Sequence, residues 1–308
     1  MESIVKLIKP SYEILGYHYD DLLQHIEVAG RTCYKSEGKI TEGSAEKFCR
    51  GMVERGHESV LEHATVCFLV HEDFVYQYAG SPFINITTSS RTLISGNIRA
   101  FRDFYRNRDI NSSLHRILAK SYPVLFEDIP VRGSQNFESG IRLFDGAMTD
   151  EEALVHKTMS IRFICDRGVT HEMVRHRLAS YSQESTRYCD YKGGLQFVIP
   201  PWVDLEPGEY TGYEPCQISN LADKTWYCAM LNVEATYQSL RNDGWPPQQA
   251  RSVLPNSLKT EIVMTANVRE WRHVFKLRCS PKAHPQIREI MQPLRKELQE
   301  RVPVLFDE

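Results

Sequence analysis

The sequence predicts a mixed α/β protein of the α+β kind, with its strands gathered into one sheet. Short β-branched and aromatic segments alternate with helical ones along the whole chain. Hydrophobic residues make up 42% of the 308, enough for a sizeable core. No Pro/Gly/Ser-rich linker or internal repeat interrupts the alternation, so residues 1–308 read as a single domain with an insertion at about 75–150.

The strand-like segments are residues 4–8, 64–70, 157–165, 195–199 and 261–266, each a run of Val, Ile, Phe and Thr. Helices are expected at 19–28, at 44–54 with Gly56 as stop, at 170–177 with Thr170 as N-cap, at 217–242 with Gly244 as stop, and at 247–253, 268–277 and 284–301. In the last of these Ile287, Ile290, Met291, Leu294, Leu298 and Val302 recur at three- and four-residue steps, the spacing of a core stripe. Between 75 and 150 the pattern loosens into polar stretches around a helix near 98–106.

Composition excludes several classes. With 37 Lys and Arg against 40 Asp and Glu, the net charge of -3 speaks against a general nucleic-acid binder. The eight cysteines include no C-x-x-C pair and no His/Cys cluster at zinc spacing, so no metal site is expected. The N-terminal residues lack the apolar core of a signal peptide and no apolar run is long enough for a membrane span, which places the chain in a reducing cytoplasm with free thiols.

Three clusters carry possible chemistry. Residues 175–188 gather Arg175, His176, Arg177, Ser180, Ser182, Ser185 and Arg187 where a helix gives way to a loop. Guanidinium groups match phosphate or carboxylate oxygens bidentately and stay charged at any cellular pH, so this stretch reads as an anion site. A second cluster, His57-Glu58-Ser59 through Glu62-His63, lacks the i, i+4 histidine spacing of a helical zinc site. The third runs from Asn267 through Arg269, Arg272, His273 and Lys276 to Arg278, one edge of a helix whose Trp271 and Phe275 belong to the core. Pro215-Cys216 is a chance dipeptide: Gln217 and Ser219 fit neither a thiol-dependent thymidylate synthase nor a zinc deaminase.

Taken together the clusters resemble the flavin-dependent thymidylate synthases, whose signature of Arg-His-Arg, seven residues and Ser is met by Arg175-His176-Arg177 and Ser185. The likeness extends to residues 30–34, to 57–63, to Ala250-Arg251-Ser252-Val253-Leu254-Pro255 and to 267–278. It implies a central mixed sheet wrapped by helices and a homotetramer with active sites between subunits, acting on small molecules with no nucleic acid or membrane partner. FAD, NADPH and 5,10-methylenetetrahydrofolate would serve the methylation of dUMP to dTMP. The resemblance assigns FAD to His57, Ser59, Glu62, Arg175, His176, Arg177, Asn267, Arg269 and His273. It assigns dUMP to Glu172, Arg175, Gln183, Ser185, Arg187, Arg251 and Arg278, with Arg278 and His57 nearest the chemistry.

Ser185 stands at a nucleophile-like place, but no histidine of the motif activates it, so it reads as a ligand to dUMP. Position 172 is Glu where some members have Gln, and 183 is Gln where some have Glu, a compensating exchange of one charge. Two other functions remain open on these residues: a flavin-dependent pyrimidine hydroxymethylase, separated by the mass of its product, and a nucleotide- or RNA-binding module that takes up no flavin.

Overall fold

The structure, a computed structural model, describes residues 4–16, 22–108, 112–131, 140–212, 218 and 220–307. The mixed α/β class holds, but the single sheet expected from the strand-like segments is divided into three. In the first, β1 (Ile4–Ile8) lies between a parallel β9 (Gln196–Val198) and an antiparallel β10 (Gly208–Thr211). The second has the order β2 (Ser11–Leu15), β7 (Thr158–Asp166), β11 (Lys259–Asn267), β8 (Ser180–Gln183). The third has the order β6 (Arg142–Leu143), β3 (Thr65–Val70), β5 (Thr92–Asn97), β4 (Ile84–Thr88). Both four-stranded sheets are antiparallel throughout.

Helices cover these sheets because each brings an apolar stripe to a sheet face. Leu22–Thr32 (α1), Ser44–Glu54 (α2) and Ile98–Arg106 (α3) set Ile26, Met52 and Phe101 against Phe68 and Ile94 of the third sheet. The same cluster takes in Ser113–Ser121 (α4) and Pro123–Phe126 (α5). Asp150–His156 (α6) and Arg167–Met173 (α7) flank the second sheet, Leu221–Asn242 (α8) and Pro247–Ala250 (α9) the first. Val268–Arg278 (α10), Pro285–Arg301 (α11) and Pro303–Phe306 (α12) close the second sheet, with Trp271 wholly buried and the stripe from Ile287 to Leu298 turned inward.

One helix start differs from expectation. The N-cap of α7 is Asp166, not Thr170: the Asp166 carboxylate accepts the Val169 amide at 2.8 Å, while the Thr170 hydroxyl donates back to the Arg167 carbonyl at 2.8 Å inside the helix. The helix therefore ends at Met173 and leaves Arg175, His176 and Arg177 in the loop beyond it. Residues 19–21 and 217, where two other helices were expected to start, lie outside the described residues, as do Pro215, Cys216 and Ser219.

The stretch read as a loose insertion holds β4, β5, α3, α4 and α5. It is tied to the rest through Arg102 of α3, whose side chain is 0% exposed. Its guanidinium donates to both carboxylate oxygens of Glu58 (3.1 and 3.2 Å) and both of Asp128 (2.9 and 2.8 Å).

Four buried histidines give the fold a pH dependence. Burial lowers His25, His115 and His156 to about 4 and His63 to about 3. The unfolded chain, with histidines near 6.5, binds these protons first, so the folded state keeps its full stability above that pH and loses it as pH falls towards 4. Each histidine contributes a slope of up to about 1.4 kcal/mol per pH unit in that window. Urea midpoints at pH 7 and pH 5 should differ clearly in favour of pH 7; equal midpoints would rule out the buried neutral rings.

Candidate active site

The residues singled out from sequence fall into four places. The most fully built surrounds Arg278, the last residue of α10. One Nη donates to the Glu172 carboxylate at 2.8 Å, the other to the Glu172 carbonyl at 2.9 Å, and Nε donates to His176 Nε2 at 3.0 Å. Accepting at Nε2 leaves the His176 proton on Nδ1, which faces the Glu270 carboxylate at 3.4 Å. His176 is 4% exposed and stacks edge-on to His273 at 5.8 Å. Glu172 and the Glu270–His176 pair thus grip the guanidinium from two sides, and two of its five N–H groups have no partner among the described residues. The Tyr181 hydroxyl, between the carbonyls of Met173 (2.6 Å) and His176 (2.9 Å), fixes the loop that carries the ring.

Gln183 ends β8, Ser185 and Arg187 follow it, and Arg251 reaches the same segment. The Gln183 amide donates to the hydroxyls of Thr170 (3.1 Å) and Thr260 (3.2 Å), which aims it across α7 and β11. Ser185 donates its backbone N–H to the Cys33 carbonyl at 3.0 Å and accepts the Arg187 amide on Oγ at 3.3 Å. Arg251 reaches Thr186 Oγ1 at 3.4 Å, and Arg187 lies over the Tyr188 ring at 5.3 Å.

Glu62, Asn267 and Arg269 line a cleft of about 100 Å³ between the two four-stranded sheets. Asn267 caps α10, accepting the Glu270 amide at 2.8 Å, and Glu62 takes an ion pair from Arg99 at 2.6 Å. His57 lies elsewhere, on the wall of an open cavity of about 1070 Å³ with Tyr34 and Tyr188, whose rings are 5.3 Å apart. Its Nδ1 is 3.2 Å from the Tyr34 hydroxyl. Ser59, Arg175 and Arg177 are exposed, and the two arginines make no ion pair among the described residues. The cleft and the cavity share no lining residue, so one chain does not bring all these groups to one pocket.

The sequence reading missed Glu270 and Glu184. Glu270 stands at the third position after an Asn cap, a place that suggests only capping. Glu184, inside the arginine-rich motif, is 2% exposed and accepts Lys259 Nζ at 2.9 Å, the Tyr191 hydroxyl at 2.8 Å and the Glu261 amide at 3.1 Å. Glu261 next to it is buried, which works to raise its carboxyl; the bonds from Lys259 and Lys35 outweigh this and hold it below its ordinary value. This charged knot anchors the strand end from which Ser185 and Arg187 project.

The fold and site define a mixed α/β protein with several exposed guanidinium groups that have no carboxylate partner among the described residues and one tightly oriented guanidinium, an arrangement suited to anions. A profile of the family described as Thymidylate synthase complementing protein matches residues 15–76 and 142–304, well over half of the chain, and the protein belongs to that family. A flavin-dependent thymidylate synthase of Geobacter sulfurreducens is 35% identical over 141 residues, 46% of this chain and 55% of the relative. One from Pyrococcus furiosus is 32% identical over 155 residues, 49% of this chain and 58% of the relative. The chain thus spans only a little over half the length of the curated relatives it matches. A solved UMP/dUMP methylase from Streptomyces cacaoi covers 98% of the chain and 95% of its own at 14% identity and a TM-score of 0.44, a distance at which it adds nothing to the assignment.

Proposed function

We propose that the protein methylates dUMP to dTMP reductively, with 5,10-methylenetetrahydrofolate as carbon donor, NADPH as reductant and FAD as cofactor, as a cytoplasmic homotetramer whose sites lie between subunits. The observation that carries this reading is Arg278, held in place by Glu172 of α7 and His176 of the loop that follows it, with part of its guanidinium free among the described residues. Uracil C5 is too weak a carbon nucleophile until something adds at C6, and negative charge then develops on the ring's carbonyl oxygens. A guanidinium already fixed in position stabilises that charge without reorganising.

The residues present fit the proposed ligands. Arg175, Arg177, Arg187 and Arg269 are exposed and have no carboxylate partner among the described residues, which suits the phosphates of FAD and dUMP. Bound FAD would supply the hydride for C6. His176 acts through Arg278, Gln183 offers an oriented amide to the uracil edge, and Ser185, with no base at its hydroxyl, binds rather than attacks. Separation of the cleft from the His57 cavity within one chain is consistent with sites completed by neighbouring subunits. None of the helices among the described residues is long and apolar enough to cross a membrane.

A thiol nucleophile is disfavoured. Burial raises the thiols of Cys33 and Cys279, carries Cys189 up to about 11 and Cys49 and Cys67 to about 12, and pushes Cys165 well above its ordinary value, so at neutral pH they are protonated. Each of the eight cysteines should be replaceable by serine with turnover retained. A single Cys→Ser variant that binds FAD and dUMP but makes no product would overturn this mechanism.

The exchange at 172 and 183 gives another expected result. Gln183→Glu adds a second carboxylate to the residues proposed for dUMP, where Glu172 already stands, and dUMP affinity should fall, measured by titration calorimetry; unchanged affinity would sink the charge-exchange reading. The broader test is the visible spectrum of purified protein: bound oxidised flavin supports the proposal, and a folded, colourless preparation that takes up no FAD contradicts it.

A further inference from the structure

Sheet register relates two parts of the chain that lie far apart in sequence. In β3 and β5 the pairs are Thr65↔Asn97 and Cys67↔Ser95; in β7 and β11 they are Thr158↔Asn267 and Ser160↔Thr265. Outside these, Asn85 pairs Ser95 as Ser180 pairs Thr265, and Leu69 pairs Arg142 as Arg162 pairs Glu13. The sheet orders β4-β5-β3-β6 and β8-β11-β7-β2 are therefore the same. Each central strand ends in an Asn cap that accepts an amide at 2.8 Å, from Ala100 or Glu270, and leads into a helix beginning Asn-Ile-Arg-Ala-Phe-Arg or Asn-Val-Arg-Glu-Trp-Arg. The first amide of each helix donates to the residue before the partner strand, Ile98 to Ala64 at 2.9 Å and Val268 to Lys157 at 3.1 Å.

The histidines at equivalent positions are exchanged between the two sheets. His63, before β3, bonds Thr265 (2.7 Å) and Ser182 (2.9 Å) of the second sheet. His156, before β7, bonds Ser95 (2.7 Å) and Thr87 (2.8 Å) of the third. In the register above, Thr265 and Ser182 are the counterparts of Ser95 and Thr87, so the contacts are reciprocal, as across a two-fold interface. The cleft of about 100 Å³ lies between the sheets and is lined by both members of the pairs Thr65 and Thr158, Ser95 and Thr265, Asn97 and Asn267.

Two positions around the helix arginine break the symmetry. The residue before His63 is Glu62 and the residue before His156 is Val155; one turn after the arginine the first helix has Asp103 and the second His273. Glu62 pairs Arg99, the second residue of its helix, at 2.6 Å, and Asp103 adds a longer contact at 3.5 Å. Arg269, the counterpart of Arg99, is exposed and has no carboxylate partner among the described residues. We propose that residues 57–106 and 150–278 are two copies of one unit joined by an internal two-fold, and that Val155, where its mate has a carboxylate, determines which arginine is free to hold the phosphates of the flavin. This rests on the function proposed above. Residues 77–106, the first part of the stretch outside the family match, are then the strand and helix half of the first copy, with Arg99 locked and Arg269 available.

The test is FAD titration, followed by fluorescence quenching, of wild type, V155E and V155Q, with thermal midpoints alongside. V155E recreates the Glu62–Arg99 pair at Arg269 and should weaken FAD binding about tenfold or more, while V155Q, of the same size without the charge, should bind at least several times more tightly than V155E. V155D replaces V155E if the latter does not fold. Equal FAD affinities for the acidic variant and V155Q would overturn the proposal. If wild type binds no FAD, the proposed function fails, and the same comparison is made with inorganic pyrophosphate: the same order of affinities upholds the role of Val155, and no binding or equal binding overturns it.

Discussion

Replacing Arg278 with alanine should lower kcat with dUMP by about 10²–10³-fold, a few kcal/mol of transition-state stabilisation, while flavin stays bound. The guanidinium is held by two bonds to Glu172 and one to His176, so its loss removes a charge already in position. Arg278→Lys should recover little, because an ammonium cannot satisfy Glu172 and His176 together in that fork. His176→Gln tests the positioning role separately: it should lower kcat more than it raises KM for dUMP, since it disturbs the aim of Arg278 and not the ligand's phosphate contacts. Turnover by Arg278→Ala within a factor of about three of wild type would remove Arg278 from the chemistry.

The largest expected effect on stability is at Arg102. Its guanidinium is wholly buried between Glu58 and Asp128, and Arg102→Ala leaves these two carboxylates with only the more exposed Arg106, at 2.8 and 3.2 Å, as their cation. Losing one member of such a buried group costs roughly 3–5 kcal/mol. Glu58 stands between His57 and Ser59, so flavin affinity should weaken along with the urea midpoint. Arg102→Met combined with Glu58→Gln and Asp128→Asn removes the stranded charges and should restore much of the stability. A loss under about 1 kcal/mol in the single variant would show that the ion cluster does not hold the two segments together.

What the sequence disclosed follows from burial. Strands β3, β7 and β11 are central and largely buried, so β-branched and apolar residues are dense enough in them to mark them as strands. The edge strand β8 is Ser-Tyr-Ser-Gln, with no hydrophobic run to announce it, and from sequence alone it reads as part of the loop after a helix. The strands did not reveal that they belong to three sheets, because pairing is a property of register and not of composition. Arg175-His176-Arg177 was conspicuous as a local cluster, whereas the bond from Arg278 to His176 spans 102 residues and leaves no local pattern. The internal pair was hidden for the same reason: 34 residues separate His63 from Asn97 but 111 separate His156 from Asn267, so no fixed period exists to be found.

Synthesis of dTMP from dUMP by flavin chemistry, the function we propose, is tested most directly by the mass of the nucleotide product when purified protein is incubated with dUMP, 5,10-methylenetetrahydrofolate and NADPH, with and without FAD. A product heavier by one methylene should form, and only when flavin is present. A hydroxymethylated nucleotide, or unchanged dUMP with folded protein saturated in FAD, would contradict that function.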